Sequence, residues 1–395
     1  MKKVIVIGAG YGGLRAIEGL EKDITLDITL IDKNPYHYLQ TEAYAYVAGQ
    51  ADVGDVIIDL DNWCKGFHSS VHFVHSEVTF IDYDKQVVEL SNEESLAYDY
   101  VVVATGARTN FFSFIPGLEE HSHGIKSLHS AYTFRKDFGD LLHEKIEKST
   151  HGKLTIAIGG AGLSGVEIAA EMAYVIQSYS KNIGEAAKEI EVALIDASET
   201  ILPGTGEYVI TQTEKRLNAL GINILTSTFI EKVDESLIHF KGGKTLEYSF
   251  MIFTGGIKAM IPDANIEYKQ NRVNQLVVNT YLNIGKYTNA YAIGDCVEIH
   301  DSSDKILPPT AQVAERSAEY VADAIINPKE ELKPFSASVL GVFVALGGKY
   351  AVGEMFGKIR IKGYLAYLMK KGIIFTYHKG LSLRINAGYK IRSKS

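Results

Sequence analysis

The stretch Lys3-Val4-Ile5-Val6-Ile7-Gly8-Ala9-Gly10-Tyr11-Gly12-Gly13 decides the fold. Its apolar run reads as a buried parallel strand, and the pattern that follows, through Leu20, reads as a helix. Between them lies G-x-G-x-x-G, in which Gly8 makes the turn, Gly10 admits a pyrophosphate against bare backbone, and Gly13 lets the helix pack closely. Gly12 adds a further small residue inside the motif. A second strand, Asp27 to Ile31, ends at Asp32, nineteen residues after Gly13. A carboxylate there would accept both hydroxyls of an adenosine ribose. Glycine-rich turns also arise from tight packing alone; the order of strand, helix, strand and acid is what favours nucleotide binding.

The same grammar returns 152 residues later. Leu154 to Ile158 is a strand, Gly160-Ala161-Gly162-Leu163-Ser164-Gly165 repeats the fingerprint, Val166 to Ile176 is an amphipathic helix, and Glu191 to Ile195 ends at Asp196. Asp196 lies 31 residues past Gly165, so the second crossover must be longer. Each unit closes with an apolar strand and a Thr-Gly turn, at Thr105-Gly106 and Thr254-Gly255. First and closing glycines are 98 residues apart in one unit and 95 in the other, so two dinucleotide-binding units of α/β, Rossmann-like type are implied. A further element, Tyr291-Ala292-Ile293-Gly294-Asp295-Cys296, lies outside both. If a late strand completes the first unit, Asp295 sits at its carboxyl end, where it could hold a polyol hydroxyl; a turn aspartate capping the next element is the equal alternative.

With 395 residues, 46% hydrophobic and 22% charged, the chain suits two or three packed domains and excludes disorder, collagen and low complexity. Two cysteines, Cys64 and Cys296, cannot make a disulfide framework or a zinc site of the usual CxxC type, so no metal is expected. Val4 begins directly after Lys2 and Lys3, so no signal or transit peptide is expected. The longest strongly apolar stretch, Val339 to Gly348, has ten residues, against the ~20 that a membrane-spanning helix needs. Charge is segregated: residues 355–395 hold ten Lys or Arg and no acid, leaving a net −18 in residues 1–354.

Two successive fingerprints and the strand-Gly-Asp element resemble the two-dinucleotide-binding flavoproteins, whose architecture is that of glutathione reductase. Within them the chain is similar to the type II, non-proton-pumping NADH:quinone oxidoreductases. The motifs that carry this are Asn34-Pro35-Tyr36-His37-Tyr38, Ala104-Thr105-Gly106-Ala107-Arg108-Thr109-Asn110-Phe111, Gly165-Val166-Glu167 and Leu307-Pro308-Pro309-Thr310-Ala311-Gln312-Val313-Ala314. The resemblance covers roughly residues 3 to 353 and implies FAD in the first unit and NADH in the second, with a membrane quinone as acceptor. It implies an FAD-binding domain of residues 1–112 plus 284–335, an NADH-binding domain of 113–283, and a C-terminal membrane-association segment of 336–395. A peripheral place on the cytoplasmic face of the cell inner membrane follows. The chain departs from the family at Gln40 to Tyr44, at Arg316 where a second glutamine is usual, and in having Trp63 as its only tryptophan.

Hydride transfer from a dihydronicotinamide to a flavin needs no side-chain nucleophile; the protein supplies stacking, exclusion of water and electrostatic tuning. Pro309 and Thr310 begin a predicted helix to Ile326, whose N-terminal amides, at Ala311 and Gln312, would favour negative charge on the reduced ring. An ordinary amphipathic helix fits the same pattern. Gln312 could hydrogen-bond a quinone carbonyl, and only the resemblance separates it from an idle surface glutamine. Glu167 is placed in the first turn of its helix, where a carboxylate suits the dipole; the matching Gly-Val-Glu adds a role near the nicotinamide and in proton supply. Glu42 is a weaker proton-donor candidate. His37 is the one histidine in a family motif. Gly294 and Asp295 complete the expected cofactor set with Gly8, Gly10, Gly12, Gly13, Asp32, Thr105, Gly106, Gly160, Gly162, Gly165, Asp196 and Gly255.

Cys64 and Cys296 match neither the CxxxxC pair of the superfamily's disulfide reductases nor the two redox cysteines of its sulfide:quinone oxidoreductases. A sulfide:quinone or ferredoxin-type reductase is nevertheless the runner-up within the enzymes, and a flavin-bound redox sensor the reading from outside enzymology. In the basic tail, Ile361, Tyr364, Leu365 and Leu368 follow helical spacing with Lys362, Lys370 and Lys371 around them, as in a helix lying on anionic lipid. Nucleic-acid binding suits its aliphatic and aromatic content less well. Packing on the body or a homodimer contact is the other use of these residues.

Overall fold

The computed structural model describes residues 1–67, 71–147, 153–183, 189–301, 304–328 and 332–392. The Val- and Ile-rich run Lys2–Ile7 forms the middle of a five-stranded parallel sheet, where a strand covered on both faces can afford no polar side chains. In order across the sheet lie Ala290–Ala292, Tyr100–Val103, Lys2–Ile7, Leu26–Asp32 and Val71–His75. The late strand Ala290–Ala292 thus joins the first unit from nearly 200 residues downstream of its neighbour. A second parallel sheet runs Asn223–Leu225, Ile190–Ile195, Leu154–Gly159, Phe250–Phe253.

The repeat extends beyond the fingerprints. Each unit inserts an antiparallel meander before its closing strand: Val78–Asp82, Val87–Leu90 and Ser95–Ala97 in the first, Ile230–Val233, Leu237–Phe240 and Thr245–Glu247 in the second. Directly after the two Thr-Gly turns, Ala107–Thr109 and Ile257–Ala259 pair antiparallel, which ties the units together at corresponding points. Residues Tyr38 and Ala43 to Ala48, from the first unit, are buried in the second unit's core with Val166, Ala169 and Ala170 of the helix Leu163–Ile183.

On the first sheet the glycine helix Tyr11–Leu20 packs against Ala311–Ile326 through small residues. A Cβ on Gly19 would lie 2.5 Å from that of Ala322, so glycine is required for the approach. The later helix is capped by Thr310, whose hydroxyl accepts from Val313 N–H; Pro309 stands just outside it.

Segment 336–395 divides in two. Gly341–Ala345, Ala351–Met355 and Ile359–Gly363 form an antiparallel sheet whose Val344, Leu346 and Val352 side enters the second unit's core. The C-terminal helix is Tyr364–Arg392, so Ile361 belongs to a strand and not to the helical face expected of it. Gly363, at φ +79°, makes the break between them. No described helix is long and apolar enough to cross a membrane.

The third motif glycine of each unit leaves no room for a side chain. A Cβ on Gly165 would fall on the Gly160 carbonyl, and one on Gly13 on the Gly8 carbonyl. Gly165→Ala should therefore destabilise the chain by about 1–3 kcal/mol through overpacking, read as a lower urea midpoint.

Candidate functional site

The two glycine turns share a backbone conformation and the same contacts to their acids. Gly8 and Gly160 take φ of +103° and +101°, a conformation that an L side chain would strain, and their N–H groups donate to Ile31 and Ile195 carbonyls at the ends of the second strands. Asp32 Oδ2 accepts from Ala9 N–H at 2.7 Å and Oδ1 from Asn34 N–H at 2.7 Å. Asp196 Oδ2 accepts from Ala161 N–H at 2.5 Å and Oδ1 from Ser198 N–H at 2.7 Å. The 31-residue spacing thus places Asp196 as the counterpart of Asp32. A carboxylate has about four lone-pair sites, so each acid keeps acceptor capacity beyond these two amides. Burial raises the Asp32 carboxyl above the ordinary range, while the amides of Ala9 and Asn34 pull it back.

The middle glycines differ from the outer ones. Among the described residues, no atom beyond the adjoining chain lies within 4 Å of a Cβ built on Gly10 or on Gly162. The bare backbone there opens onto space at a helix N-terminus, the arrangement that accepts a diphosphate. Both units therefore fit a dinucleotide, FAD or NADH, on their own donors and shape.

The other expected residues gather around the first turn. Gly12 abuts Ala314 and Ile293. His37 is buried and its Nδ1–H donates to the Ala9 carbonyl at 2.8 Å. Thr105 donates to the Met260 carbonyl, and Gly106, at φ +67°, accepts from Met260 N–H at 3.2 Å. Gly294 (φ +74°) donates to Ser317 Oγ at 3.3 Å on the helix that begins at Ala311. Asp295 pairs with Lys126 Nζ at 3.0 Å, a partner with no signal in the sequence. In the second unit Thr254 binds back to Gly160, and Gly255 has no room for a side chain beside the Phe253 ring.

A buried charge cluster forms where the C-terminal helix crosses both units. Lys370 pairs with Glu167, which also accepts from Ala345 N–H at 2.9 Å. Lys371 pairs with Glu42 Oε2 at 2.6 Å, and both ammonium groups lie over the Tyr44 ring, 5.2 and 5.7 Å from its centre. Burial raises the Glu167 carboxyl despite Lys370, and pushes nearby Glu171, held by Gly348 N–H, to about 7. Two expectations are corrected. Helix Leu163–Ile183 begins early enough to put Glu167 past its first turn, so the helix dipole is not what favours the carboxylate. Lys370 and Lys371 turn inward to acids, so they do not border the helix as lipid contacts.

Gln312 is oriented by the C-terminal segment: its Oε1 accepts from Leu340 N–H at 2.6 Å, which directs its amide hydrogens elsewhere. Cys64 and Cys296 are both buried and free, and burial pushes their thiols to about 12 and about 11, so neither is a ready thiolate. Among the described residues no group of acids, histidines or cysteines could hold a metal.

Residues 2–318 match the pyridine nucleotide-disulphide oxidoreductase family. A type II NADH:quinone oxidoreductase of Staphylococcus aureus (strain NCTC 8325 / PS 47) is 30% identical over 385 residues, 94% of each chain. The chain belongs to the type II NADH:quinone oxidoreductases. The structure of NDH2 from Plasmodium falciparum in complex with NADH has the same fold, with a TM-score of 0.86 at 21% identity over 99% of this chain and 97% of that one. The sulfide:quinone oxidoreductase of Aquifex aeolicus is also similar in fold, with a TM-score of 0.81 at 20% identity over 97% of this chain and 92% of that one.

The open space at Gly10 separates binding from folding. Gly10→Val should fold with an unchanged circular dichroism spectrum and lose most of its bound FAD, since a Cβ there points into open space where the diphosphate would lie. Full yellow flavin content in the purified variant would show that the first turn does not hold the cofactor.

Proposed function

We propose that this chain oxidises NADH and reduces a quinone through FAD, as a peripheral protein at a membrane, without pumping protons. The observation that carries it is the pair of matched turns, each with an acid and an open middle glycine, in a chain of this family. The first turn takes FAD, with residues 1–112 and 284–335 as its domain; the second takes NADH, with residues 113–283. When bound, FAD supplies the hydride acceptor that lets a two-electron donor meet a quinone.

The chain's own residues bind, orient and hold protons. Gly8, Gly10, Gly12 and Gly13 seat the FAD diphosphate and Asp32 its ribose; Gly160, Gly162, Gly165 and Asp196 do the same for NADH. His37, Thr105, Gly106, Gly294 and Asp295 shape the first site, with Lys126 fixing Asp295, and Gly255 closes the second. The amides at Ala311 and Gln312 favour negative charge at the reduced ring. Gln312, its carbonyl occupied by Leu340, offers the N–H donors that a quinone carbonyl needs. The buried Glu167–Lys370 pair can take up and pass on a proton as the quinone is reduced.

NADH should bleach the flavin fully and a soluble quinone should restore its colour, whereas sulfide should do nothing. NADH should be preferred to NADPH because Asp196 repels a 2′-phosphate and accepts a 2′-hydroxyl. Asp196→Ala should narrow that preference by about tenfold or more, the worth of a hydrogen bond to a charged group. Equal kcat/KM for the two nucleotides in the parent protein would overturn the assignment of Asp196.

Membrane contact falls to the outer face of the C-terminal helix and not to its charge alone. Among the described residues, Lys370, Lys371 and Arg384 pair with acids of the body, and Arg360 pairs with Glu354 on the neighbouring strand of its own sheet. Tyr364, Leu365, Leu368 and Phe375 share the opposite side, with Leu365 59% and Phe375 62% exposed. Apolar insertion should dominate, with anionic lipid adding about 1 kcal/mol for each free basic residue near the surface. The variant Leu365→Ser/Leu368→Ser/Phe375→Ser should lose at least about tenfold in binding to anionic vesicles, given 1.5–3 kcal/mol for each large side chain fully buried. Unchanged vesicle sedimentation, or a dimer that dissociates on these changes, would assign the face to another use.

A further inference from the structure

The first glycine turn is held on both sides of one residue. Ala9 N–H donates to Asp32, and the Ala9 carbonyl accepts from His37 Nδ1–H. The peptide that joins Ala9 to Gly10 is trans, so its C=O and N–H point in opposite directions. A hydrogen bond that fixes the Ala9 carbonyl toward His37 therefore aims the Gly10 N–H the other way, away from the imidazole. The second turn meets the same need with backbone: Leu202 N–H donates to the Ala161 carbonyl at 2.7 Å. That two independently folded turns both secure this carbonyl marks it as part of the device. A backbone N–H has one form, whereas a neutral imidazole has two tautomers, only one of which donates from Nδ1.

The tautomer is set from outside the unit. His37 is buried, and burial pushes its imidazole down to about 4, so the ring is neutral at ordinary pH. Tyr377, on the C-terminal helix, places its hydroxyl 3.2 Å from His37 Nε2. With the single ring proton on Nδ1, Nε2 presents a lone pair, and the Tyr377 hydroxyl, kept protonated by burial, is the donor. Tyr11 packs against both rings, with centres 5.0 Å from His37 and 5.1 Å from Tyr377, and anchors its own hydroxyl on Thr41 Oγ1 at 2.8 Å.

We infer that Tyr377 is a positioning residue for FAD: by donating to His37 Nε2 it selects the tautomer that holds the Ala9 carbonyl, and so aims the Gly10 N–H at the FAD diphosphate. This rests on the placement of FAD at the first turn. It makes the C-terminal helix a part of the cofactor site, 340 residues along the chain from His37.

Tyr377→Phe keeps the ring and removes only the donor. In the full-length protein it should speed FAD release, followed by flavin fluorescence, about tenfold, the scale of one hydrogen bond. Nitrogen resonances of His37 should change from a single Nδ1–H form to a mixture. In a His37→Asn background, where the amide can still donate to Ala9 but presents no ring nitrogen to Tyr377, adding Tyr377→Phe should change FAD release no further. Equal release rates for the parent and Tyr377→Phe, an unchanged tautomer, or an equal acceleration in the His37→Asn background would each overturn the inference. A parent protein that binds no FAD would overturn the placement of the cofactor itself, and the inference with it.

Discussion

The structure depends on one steric fact, that a helix start can be pressed against the end of a parallel strand only where no Cβ intervenes. Gly13 and Gly165 sit on the carbonyls of Gly8 and Gly160, so each glycine helix begins at the sheet edge and its free N–H groups face outward at the turn. The strand end, the helix start and the acid on the next strand are then fixed relative to one another. Asp32 and Asp196 complete each turn by accepting the amide of the residue after the first glycine. The site is thus made by packing first and by polar groups second.

Much of this was legible in the sequence because it is local. Glycine spacing, the run of Val and Ile, and an acid at a strand end are all set within one βαβ unit, and the repeat allowed each reading to be checked against the other. A crossover can lengthen without moving its end, and the shared hydrogen-bond pattern is what makes Asp196 the equivalent of Asp32. The meanders at 78–97 and 230–247 carried no comparable signal, because short strands without a fixed turn residue look like loops.

What the sequence did not show is what joins distant segments. Lys126 and Asp295 are 169 residues apart, and Lys371 and Glu42 are 329 apart. Nothing in the neighbourhood of either lysine distinguishes it from a solvated charge. The basic tail also invited a reading by composition alone, in which ten unopposed cations face lipid. Lys370, Lys371 and Arg384 instead find partners in the acidic body, and a buried pair at Glu167 and Lys370 replaces two charges that would each be costly to bury alone. Gln312 shows the same limit: its position at a helix start was foreseen, but not that Leu340 would take up its carbonyl.

The C-terminal helix has two working sides. Ala366, Lys370, Tyr377, Leu381 and Arg384 repeat at intervals of three, four or seven residues and face the body, where Arg384 covers the Phe67 ring at 4.4 Å and its backbone leaves Gly66 no room for a side chain. Ala366 and Leu381 are almost wholly enclosed while Leu365 and Phe375 are open. Such a helix is no removable tail. Cutting it away to obtain a more soluble protein would uncover the core beneath and strand Glu42 and Glu167 without their cations, so a soluble form has to be sought by repainting the outer side of an intact helix.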